Sequence, residues 1–458
     1  MSTVSTASTQ TDEALPLLDP HREWCALPGR RTRSRGTGER GAAATADAFA
    51  QVRARVEAEG VWKAEPAPGR EREPLLALPS LATLHPRAEP VLRARAETLV
   101  ACLQLLVRRY QDDEELRDFL DVPPVLRRWV LEQPDPAGLR VDLCRLDLLG
   151  DTLGTLRLLE FNPSCPGGVL SAGMLNRFWR ESALGPLLAE WEVPEAPVEG
   201  HTWFADWLLR HGRARGLGEE ETRPVGLFRP PRGTSFEFGL MKHQLRALGA
   251  EPVELDPAAP GEATGVRLGY LKYIPVDTRP AAGWDTFCDR VRTGDLVVPN
   301  VPGERWVAEN KLCLAALSDP RFRHLFTPEQ RAALDALVPY GRKLGDGITV
   351  AEAVRERARL VLKAPYSCRG QSVLLGAATE PGVWERAVRD PGHRGWLVQE
   401  RVDTAPLETD EGPYFRDLVV PVLEGRVIGY GSRMSHGHLL NAARGGGTPV
   451  LFAPHPLG

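Results

Sequence analysis

The chain has 458 residues, of which 42% are hydrophobic and 26% are charged, and its net charge is −4. This composition excludes a wholly disordered protein, and the slightly acidic balance argues against a large nucleic-acid-binding surface. Seven cysteines without a CxxC pair predict neither a disulfide framework nor a zinc cage. The sequence lacks an apolar run long enough for a transmembrane helix and lacks the features of a signal peptide. We therefore expect a cytoplasmic protein that binds neither nucleic acid nor a membrane.

The first 140 residues predict a tail followed by a helical layer. Residues 1–45 are rich in Ser and Thr and then in Arg and Gly, without a sustained period, as is typical of a mobile arm. The basic run from Arg30 to Arg40 has a second interpretation, which is contact with an acidic partner. Residues 46–140 predict a helical support region because apolar residues recur at helical spacing. The clearest apolar face contains Leu92, Ala96, Leu99, Leu103 and Leu106.

A β-hairpin is predicted next. Polar and apolar residues alternate in 141–149 and 155–162, and the turn Gly-Asp-Thr-Leu-Gly separates the two segments. Residues two apart on a strand point the same way, so Arg145 and Asp147 share a face, as do Glu160 and Asn162. The same rule places Leu156 and Leu158 on the face of Glu160, which suggests the edge of a cleft.

The polar residues of this hairpin suit a hard cation. Asp147, Glu160 and Asn162 carry side-chain oxygens, and Mg²⁺ takes oxygen ligands, usually one or two carboxylates together with substrate phosphates. The alternative is an exposed polar face on which Arg145 pairs with a carboxylate. The residues alone do not decide between the two.

The rest of the chain predicts alternating units. Residues 225–305 combine strands (VGLFRPP, EPVELDP, DLVVPN) with a helix ended by Gly249, as in a small α/β unit. Residues 309–340 are helical, and Thr327 with Gln330 forms a capping box. The remainder is β-rich, with a hairpin around Glu424-Gly425.

Two lysines stand out because the chain has only six. Lys363 ends the apolar strand RLVLK, and a small polar loop, residues 366–372, follows it before the next strand. A strand that ends in Lys before a Gly-containing loop suits phosphate binding, although a hairpin with a snorkelling Lys is the alternative. Lys311 also lies in an apolar context. Further on, the backbone of the strand around Gln399 could bind an adenine edge and Glu400 could bind ribose hydroxyls.

The C-terminal region adds polar groups. Arg433 ends a strand, and Asn441 precedes a run of three glycines, as suits anion recognition where the backbone approaches closely. His436 and His438 invite a metal interpretation, but a third ligand at zinc-like spacing is not evident.

Together these residues resemble a known family. The chain is similar to ATP-grasp ligases in circularly permuted order, such as the glutathionylspermidine synthase-like proteins, from about Asp142 to Phe452. In ordinary ATP-grasp enzymes the ATP lysines, glycine loop and hinge come first, and the Glu-x-Asn pair comes last. Here Glu160-Phe161-Asn162 comes first, and joining the two chain ends restores the family order.

The resemblance implies an α+β fold, namely a permuted ATP-grasp core with a pre-ATP-grasp unit and an N-terminal helical layer. The core would begin in residues 141–224 and finish in 411–458. Residues 225–305 would be the pre-ATP-grasp-like unit, and 306–410 the ATP-binding lid and hinge.

The resemblance also implies roles for individual residues, with ATP and Mg²⁺ as cofactors. The Mg²⁺ ligands would be Asp147, Glu160 and Asn162. ATP would be contacted by Lys311, Lys363, Arg369, Gly370, Gln371, Gln399, Glu400, Val402 and Asn441. The catalytic set would be Arg433, Lys363 and Arg342.

The sequence departs from this family in two places. The loop after Asn162 is Pro-Ser-Cys-Pro-Gly-Gly, where relatives often have an acid and Thr-Pro-Ser. The phosphate loop has one glycine, Gly370, where relatives often have two. Substrate recognition and loop closure are therefore the parts that the resemblance leaves open.

The implied activity is an ATP-dependent carboxylate–amine ligase. A carboxylate of an amino acid or peptide would become an acyl phosphate, and an amine would attack it with release of phosphate. Two alternatives remain: transfer of the acyl group to the thiol of a carrier protein, and a non-catalytic ATP-binding partner. Cys165 and Cys368 lie near the expected site, but neither has a base beside it in the sequence, so we expect bystanders.

Overall fold

The structure is a computed structural model. It describes residues 12–27, 38–59, 75–132, 138–163, 165–229, 236–259, 265–272, 283–367, 372–437, 440 and 446–457. Arg369, Gly370, Gln371 and Asn441 lie outside these residues, as do Cys368 and His438. None of the described helices is both long enough and apolar enough to cross a membrane.

The strands within the described ranges are numbered in chain order. They are β1 (Leu18–Cys25), β2 (Ala77–Leu84), β3 (Leu143–Leu149), β4 (Arg157–Asn162), β5 (Pro224–Phe228), β6 (Glu251–Leu255), β7 (Leu268–Leu271), β8 (Gly341–Leu344), β9 (Gly347–Ile348), β10 (Leu360–Lys363), β11 (Val373–Leu375), β12 (Leu397–Glu400), β13 (Phe415–Arg416), β14 (Leu418–Leu423), β15 (Arg426–Val427), β16 (Met434–Ser435) and β17 (Thr448–Phe452).

The α-helices of the same ranges are numbered likewise. They are α1 (Gly38–Ala58), α2 (Ala88–Arg109), α3 (Glu114–Leu120), α4 (Pro124–Leu131), α5 (Val169–Arg180), α6 (Gly185–Glu190), α7 (Trp203–Ala214), α8 (Glu219–Thr222), α9 (Phe236–Ala247), α10 (Trp284–Arg292), α11 (Pro302–Ala308), α12 (Leu312–Ser318), α13 (Pro328–Leu337), α14 (Val350–Arg355) and α15 (Pro381–Arg389).

Two sheets frame the candidate site. The core sheet has the strand order β15-β14-β3-β4 and is antiparallel throughout. The lid sheet has the order β11-β10-β12-β8-β9 and is antiparallel except between β8 and β9. The predicted hairpin β3–β4 is confirmed. The strand that ends at Lys363, the strand after the following loop, and the turn at Glu424 and Gly425 are confirmed as well. Both turn residues have positive φ, at 49° and 80°, which suits a tight hairpin.

The α/β unit is a three-stranded parallel sheet with the order β6-β5-β7. Its strands β5 and β6 and its helix α9 follow the sequence prediction. The segment DLVVPN, predicted as a strand, forms only an isolated bridge between Val297 and Leu268. The third strand is β7, which the sequence analysis did not predict. This strand is only four residues long and buried at every position, so it has no polar alternation to reveal it.

The N-terminal region needs a correction. The sequence predicts a tail to residue 45 and a helical layer to residue 140, whereas β1 and β2 join β17 in a separate sheet. Strand β1 pairs irregularly with β2, and β2 pairs in parallel with β17 near the other end of the chain. Pairing partners so distant in sequence cannot be inferred from local periodicity.

The predicted helical face of α2 is confirmed. Leu92, Ala96, Leu99, Leu103 and Leu106 are all buried in the largest apolar cluster, together with residues of β3, β14 and α12. Truncation of one of these leucines to alanine should cost about 2–5 kcal/mol of stability. The lid has an apolar cluster of its own, which includes Leu362, Val398 and Trp384. Most apolar side chains of the lid thus pack in a cluster of their own, although Leu397 of β12 belongs to the largest cluster.

Candidate active site

The register of β3 and β4 builds the centre of the site. Arg145 lies opposite Asn162, and Asp147 lies opposite Glu160. Residues directly opposite in an antiparallel pair point to the same face. All four polar side chains therefore project from one face of the core sheet, near its edge strand β4.

A β-bulge interrupts this pairing at Leu159. Asp147 pairs with Glu160, but the next residue, Leu148, pairs with Leu158, so Leu159 is an extra residue in β4. The prediction that Leu156 and Leu158 share a face with Glu160 and Asn162 is therefore wrong. Both leucines are fully buried on the apolar side, because the bulge reverses the alternation between Leu158 and Glu160.

Asp147 is held by two arginines. Its carboxylate accepts hydrogen bonds from Arg145 Nε at 2.7 Å and Nη2 at 2.9 Å, and from Arg433 Nη2 at 2.7 Å. Burial by itself would raise the pKa of Asp147, but the charges and hydrogen bonds of the two guanidinium groups outweigh it and lower the pKa to about 2. Asp147 is thus ionised and strongly engaged.

Arg433 is itself fixed by Asp417, a residue that the sequence analysis missed. The Asp417 carboxylate accepts from the backbone N–H of Arg433 at 2.6 Å, from its Nε at 2.7 Å and from its Nη2 at 2.5 Å. Burial raises the pKa of Asp417, while the charge of Arg433 opposes that rise. In the sequence, an acid directly before the apolar run of β14 was the available indication.

Lys363 and Gln399 reach the core from the lid. Lys363 Nζ donates to the Leu159 carbonyl at 2.9 Å and to Gln399 Oε1 at 2.6 Å, and Gln399 Nε2 donates to the Leu158 carbonyl at 3.2 Å. Burial, assisted by the charge of Lys311, lowers the pKa of Lys363 to about 8, although Glu160 and Asp147 oppose this shift. The lid thus contacts the core at the bulge.

Lys311 connects the other side of the site. It directly precedes α12, and its backbone N–H donates to the Pro365 carbonyl at 2.9 Å. Its Nζ donates to the Ser367 carbonyl at 2.7 Å and lies 3.6 Å from Glu160 Oε2. Lys311 is buried, whereas the Glu160 side chain is 32% exposed. Glu160 is therefore the carboxylate of the site that is open to a ligand.

The chain after Asn162 is held by its carbonyl groups. Arg145 Nη1 donates to the Gly167 carbonyl. Lys272 Nζ lies 3.3 Å from the Cys165 carbonyl, 3.4 Å from the Pro166 carbonyl and 3.1 Å from Glu237 Oε2.

Glu237 in turn caps the first turn of α5. Its Oε1 accepts from the backbone N–H groups of Leu170 and Ser171 at 2.9 and 3.1 Å. Burial raises the pKa of the Cys165 thiol, while the charges of Lys272 and Arg305 oppose that rise, so this cysteine is not an activated nucleophile.

Two predicted residues lie on the other face of the lid sheet. Arg342 pairs with Val398 and Glu400 pairs with Leu360, so both point away from the face of Lys363. Arg342 Nη1 donates to the Ser318 carbonyl and hydroxyl, each at 3.1 Å. Glu400 Oε1 lies 3.3 Å from Arg359. The geometry therefore does not bring the side chains of Arg342 and Glu400 to the site. Val402, another predicted ATP contact, lies two residues after the end of β12.

The oxygen donors fit a hard cation in part. The described residues contain no group of three or more His, Cys, Asp or Glu side chains placed to hold a metal ion. Glu160 and Asn162 offer a carboxylate and an amide oxygen on one face. Toward the described residues, the Asn162 amide makes only a long 3.5 Å contact, with the Arg145 carbonyl. Two protein ligands suffice for Mg²⁺ where phosphates complete its octahedron. Asp147 could join them only if an arginine released it.

The fold has a solved counterpart. A glutathione synthetase-like effector from Globodera pallida, in its apo form, aligns over 91% of this chain and 96% of its own, with a TM-score of 0.57 and 12% identity. This chain has a glutathione synthetase-like fold. The α+β, ATP-grasp-like fold expected from the resemblance is thereby confirmed, while the circularly permuted order stays a prediction. At such low identity the likeness shows the fold alone.

Other comparisons add little. A Methylobacillus flagellatus protein, provisionally assigned as a gamma-glutamylcysteine synthetase, gives a TM-score of 0.38 at 13% identity over 77% of this chain and 88% of its own, too low to carry an argument. A segment of 118 residues is 30% identical to a ubiquinone biosynthesis O-methyltransferase from Nitrobacter winogradskyi. This match spans 25% of the chain and only 38% of that methyltransferase, so it shows no family. No protein-family model matches the chain.

Proposed function

We propose that the protein is an ATP-dependent carboxylate–amine ligase that forms an amide bond through an acyl phosphate and releases ADP and phosphate. One observation carries this proposal. Lys311 lies 3.6 Å from Glu160, and Lys363 of the lid is anchored at the carbonyl of the neighbouring Leu159, close to the ion pair of Asp147 and Arg433. Two buried lysines near an open carboxylate and a fixed guanidinium suit the transfer of a phosphoryl group.

The balance of charge favours an anionic ligand. Four cationic side chains meet three carboxylates in this cluster, which leaves one excess positive charge before any metal ion is added. The cluster consists of Arg145, Arg433, Lys311, Lys363, Asp147, Asp417 and Glu160. Burial strengthens the attraction of such a site for phosphate because the local dielectric constant is low.

Mg²⁺ would be held by Glu160 and Asn162, with Asp147 as a third ligand if it is released. The ion supplies neutralisation of the phosphate charge that develops during transfer. Lys311 and Lys363 would bind the phosphates, and Arg433 would stabilise the acyl phosphate without moving a proton. To do so, the Arg433 guanidinium must keep a fixed orientation, and its hydrogen bond to Asp417 provides that orientation.

The nucleotide would lie between the lid sheet and the core sheet. We propose Gln399 to Val402 as the adenine segment, with Arg369, Gly370 and Gln371 over the phosphates and Asn441 as a further contact of ATP. Glu400 would contact ribose only after a change of side-chain direction, because it lies on the opposite face from Lys363. Arg342 is assigned to lid support through Ser318 and not to the reacting atoms.

The acceptor separates the main alternatives. A small amine gives an amide, whereas a carrier-protein thiol gives a thioester, and the fold does not distinguish the two. A purely ATP-binding partner would retain nucleotide affinity without turnover. The described residues of the site do not indicate methyl transfer, and the segment that matches a methyltransferase spans only 25% of the chain.

The test is ATP turnover with Mg²⁺ and pools of amino acids, amines and thiols, with ADP, AMP and product mass as readouts. We expect substrate-dependent ADP and phosphate. Glu160→Gln should lower turnover by at least about 100-fold with an unchanged melting temperature, because Glu160 is open to a ligand and would help to hold Mg²⁺. Glu408→Gln, at an exposed carboxylate outside the site, is the matched control. Formation of AMP, or full activity of Glu160→Gln, would contradict the proposal.

A further inference from the structure

Asn300 lies at the end of the hairpin where the pairing between β3 and β4 stops. Strand β3 begins at Leu143, but its pairing with β4 begins only at Arg145, opposite Asn162. The residue after Asn162 is Pro163, which has no backbone N–H to donate. The start of β3 therefore needs another hydrogen-bonding group on this side, since buried backbone groups are costly when left unpaired.

The side-chain amide of Asn300 supplies that group. Its Oδ1 accepts from the backbone N–H of Asp142 at 2.7 Å and of Leu143 at 3.2 Å. Its Nδ2 donates to the Leu143 carbonyl at 2.8 Å and to the Pro163 carbonyl. All four hydrogen-bonding positions of the amide are thus used. The side chain replaces a peptide group and joins the ends of both strands.

The backbone of Asn300 is adapted to this place. Its φ is +47°, in the left-handed region where asparagine and glycine are the favoured residues, and the residue is 2% exposed. Its N–H donates to the Asp142 carboxylate at 2.9 Å, and its carbonyl accepts from Arg305 Nε at 3.3 Å. Arg305 also donates to the Leu271 carbonyl at 2.9 Å, at the end of β7. Arg305 therefore links the backbone of Asn300 to strand β7 of the α/β unit.

These contacts end beside the proposed ligands. Pro163 is the next residue after Asn162, and Leu143 lies two residues before Arg145. We infer that Asn300 is a positioning residue of the site, which sets the relative position of the row Arg145–Asp147 and the row Glu160–Asn162 without touching the reacting atoms. This inference rests on the proposed ligase function.

Two variants separate the amide from the backbone conformation. Asn300→Gly keeps access to positive φ and removes the amide. Asn300→Asp keeps the shape but turns a carboxylate oxygen toward two carbonyl groups beside Asp142, so it risks failing to fold. The matched control is Asn176→Ala, which also removes a buried side-chain amide: Asn176 lies in α5 and its amide donates to the Leu451 carbonyl at 3.0 Å, outside the site.

We expect Asn300→Gly to lower kcat and to raise the Mg²⁺ concentration for half-maximal turnover, each by about 10- to 100-fold, as found when the supports of metal ligands are removed. Hydrogen exchange of the β3 and β4 amides should accelerate in the same variant. Asn176→Ala should leave kcat and the Mg²⁺ requirement unchanged.

The outcomes are distinguishable. Faster hydrogen exchange in Asn300→Gly with an unchanged kcat and Mg²⁺ requirement would overturn the positioning role. Unchanged hydrogen exchange would show that the Asn300 amide does not hold the ends of β3 and β4 together. A loss of activity that only matches the unfolded fraction would also overturn the inference. Absence of ATP turnover in the wild-type protein would instead refute the proposed function. The hydrogen-exchange measurement would still show whether Asn300 holds the ends of β3 and β4 together.

Discussion

The charge of Lys363 gives a sharp test of the proposed nucleotide site. The ammonium group is buried, and its pKa is lowered to about 8. The protonated ammonium group attracts phosphate, whereas the neutral amine does not. Molecules in which Lys363 is neutral must therefore take up a proton when ATP binds. ATP affinity should therefore be constant well below pH 8 and fall as the pH rises through 8.

The size of the effect follows from this pKa. With a pKa of about 8 in the free protein and a higher pKa beside phosphate, the ATP dissociation constant should rise about tenfold between pH 7 and pH 9. Calorimetric titration with ATP and Mg²⁺ measures this directly and needs no acceptor substrate. Lys363→Arg should give a nearly flat profile over the same range, because a guanidinium stays charged.

The control for this titration is Lys242→Arg, since Lys242 is paired with Glu254 at 2.6 Å far from the site. This variant should keep the wild-type profile. A wild-type dissociation constant that does not change between pH 7 and pH 9 would refute the reasoning. So would an equal pH dependence in Lys363→Arg, since another group would then have to be responsible.

Three further predictions use contacts around the site. Asp417→Ala should lower kcat by about 100-fold, and Asp417→Asn should recover part of it, because the amide oxygen can still accept from Arg433; equal losses in steady-state kinetics would contradict this. Lys272→Met should destabilise the protein by about 3–5 kcal/mol by leaving Glu237 buried without its partner, and adding Glu237→Gln should restore much of the loss in denaturant unfolding. Cys165→Ser should keep turnover within a few-fold of wild type, because its thiol has a raised pKa; complete inactivation would indicate a nucleophilic cysteine.

The hairpin of the site could be predicted because its information is local. A turn, two alternating segments and polar residues at fixed spacing predict that Arg145 shares a face with Asp147 and Glu160 with Asn162. The structure adds the register, with Arg145 opposite Asn162 and Asp147 opposite Glu160. The bulge could not be predicted from the same pattern. Residues 156–159 contain three leucines, and such a run does not show which of them is the extra residue.

The supports of the site depend on contacts between distant segments. Arg433 and Asp417 meet because two extended segments lie side by side. The short pairing of β13 with β16 lies on one side of this pair, and an isolated bridge between Val419 and Gly431 lies on the other. Asn300 lies on a turn before α11 and reaches the hairpin from the α/β unit. The sequence has no periodicity that connects these positions, so the hydrogen-bond partners of the site residues could not be inferred from it.

The bulge explains how the lid and the core meet. Consecutive carbonyl groups of a regular strand point to opposite edges. In β4, however, the carbonyls of Leu158 and Leu159 are both reached by lid side chains, from Gln399 and Lys363. The extra residue in β4 makes this possible, because it changes the direction of the backbone on the outer edge of the core sheet.

Lys363 therefore has two tasks that do not exclude each other. An ammonium group has three N–H donors, and contacts with described residues use two of them, toward the Leu159 carbonyl and Gln399. A third remains for a phosphate oxygen, so nucleotide binding does not require the lid to leave the core. Lys363→Met should then weaken both ATP binding and lid docking, whereas Gln399→Leu should disturb docking while the ammonium charge stays in place.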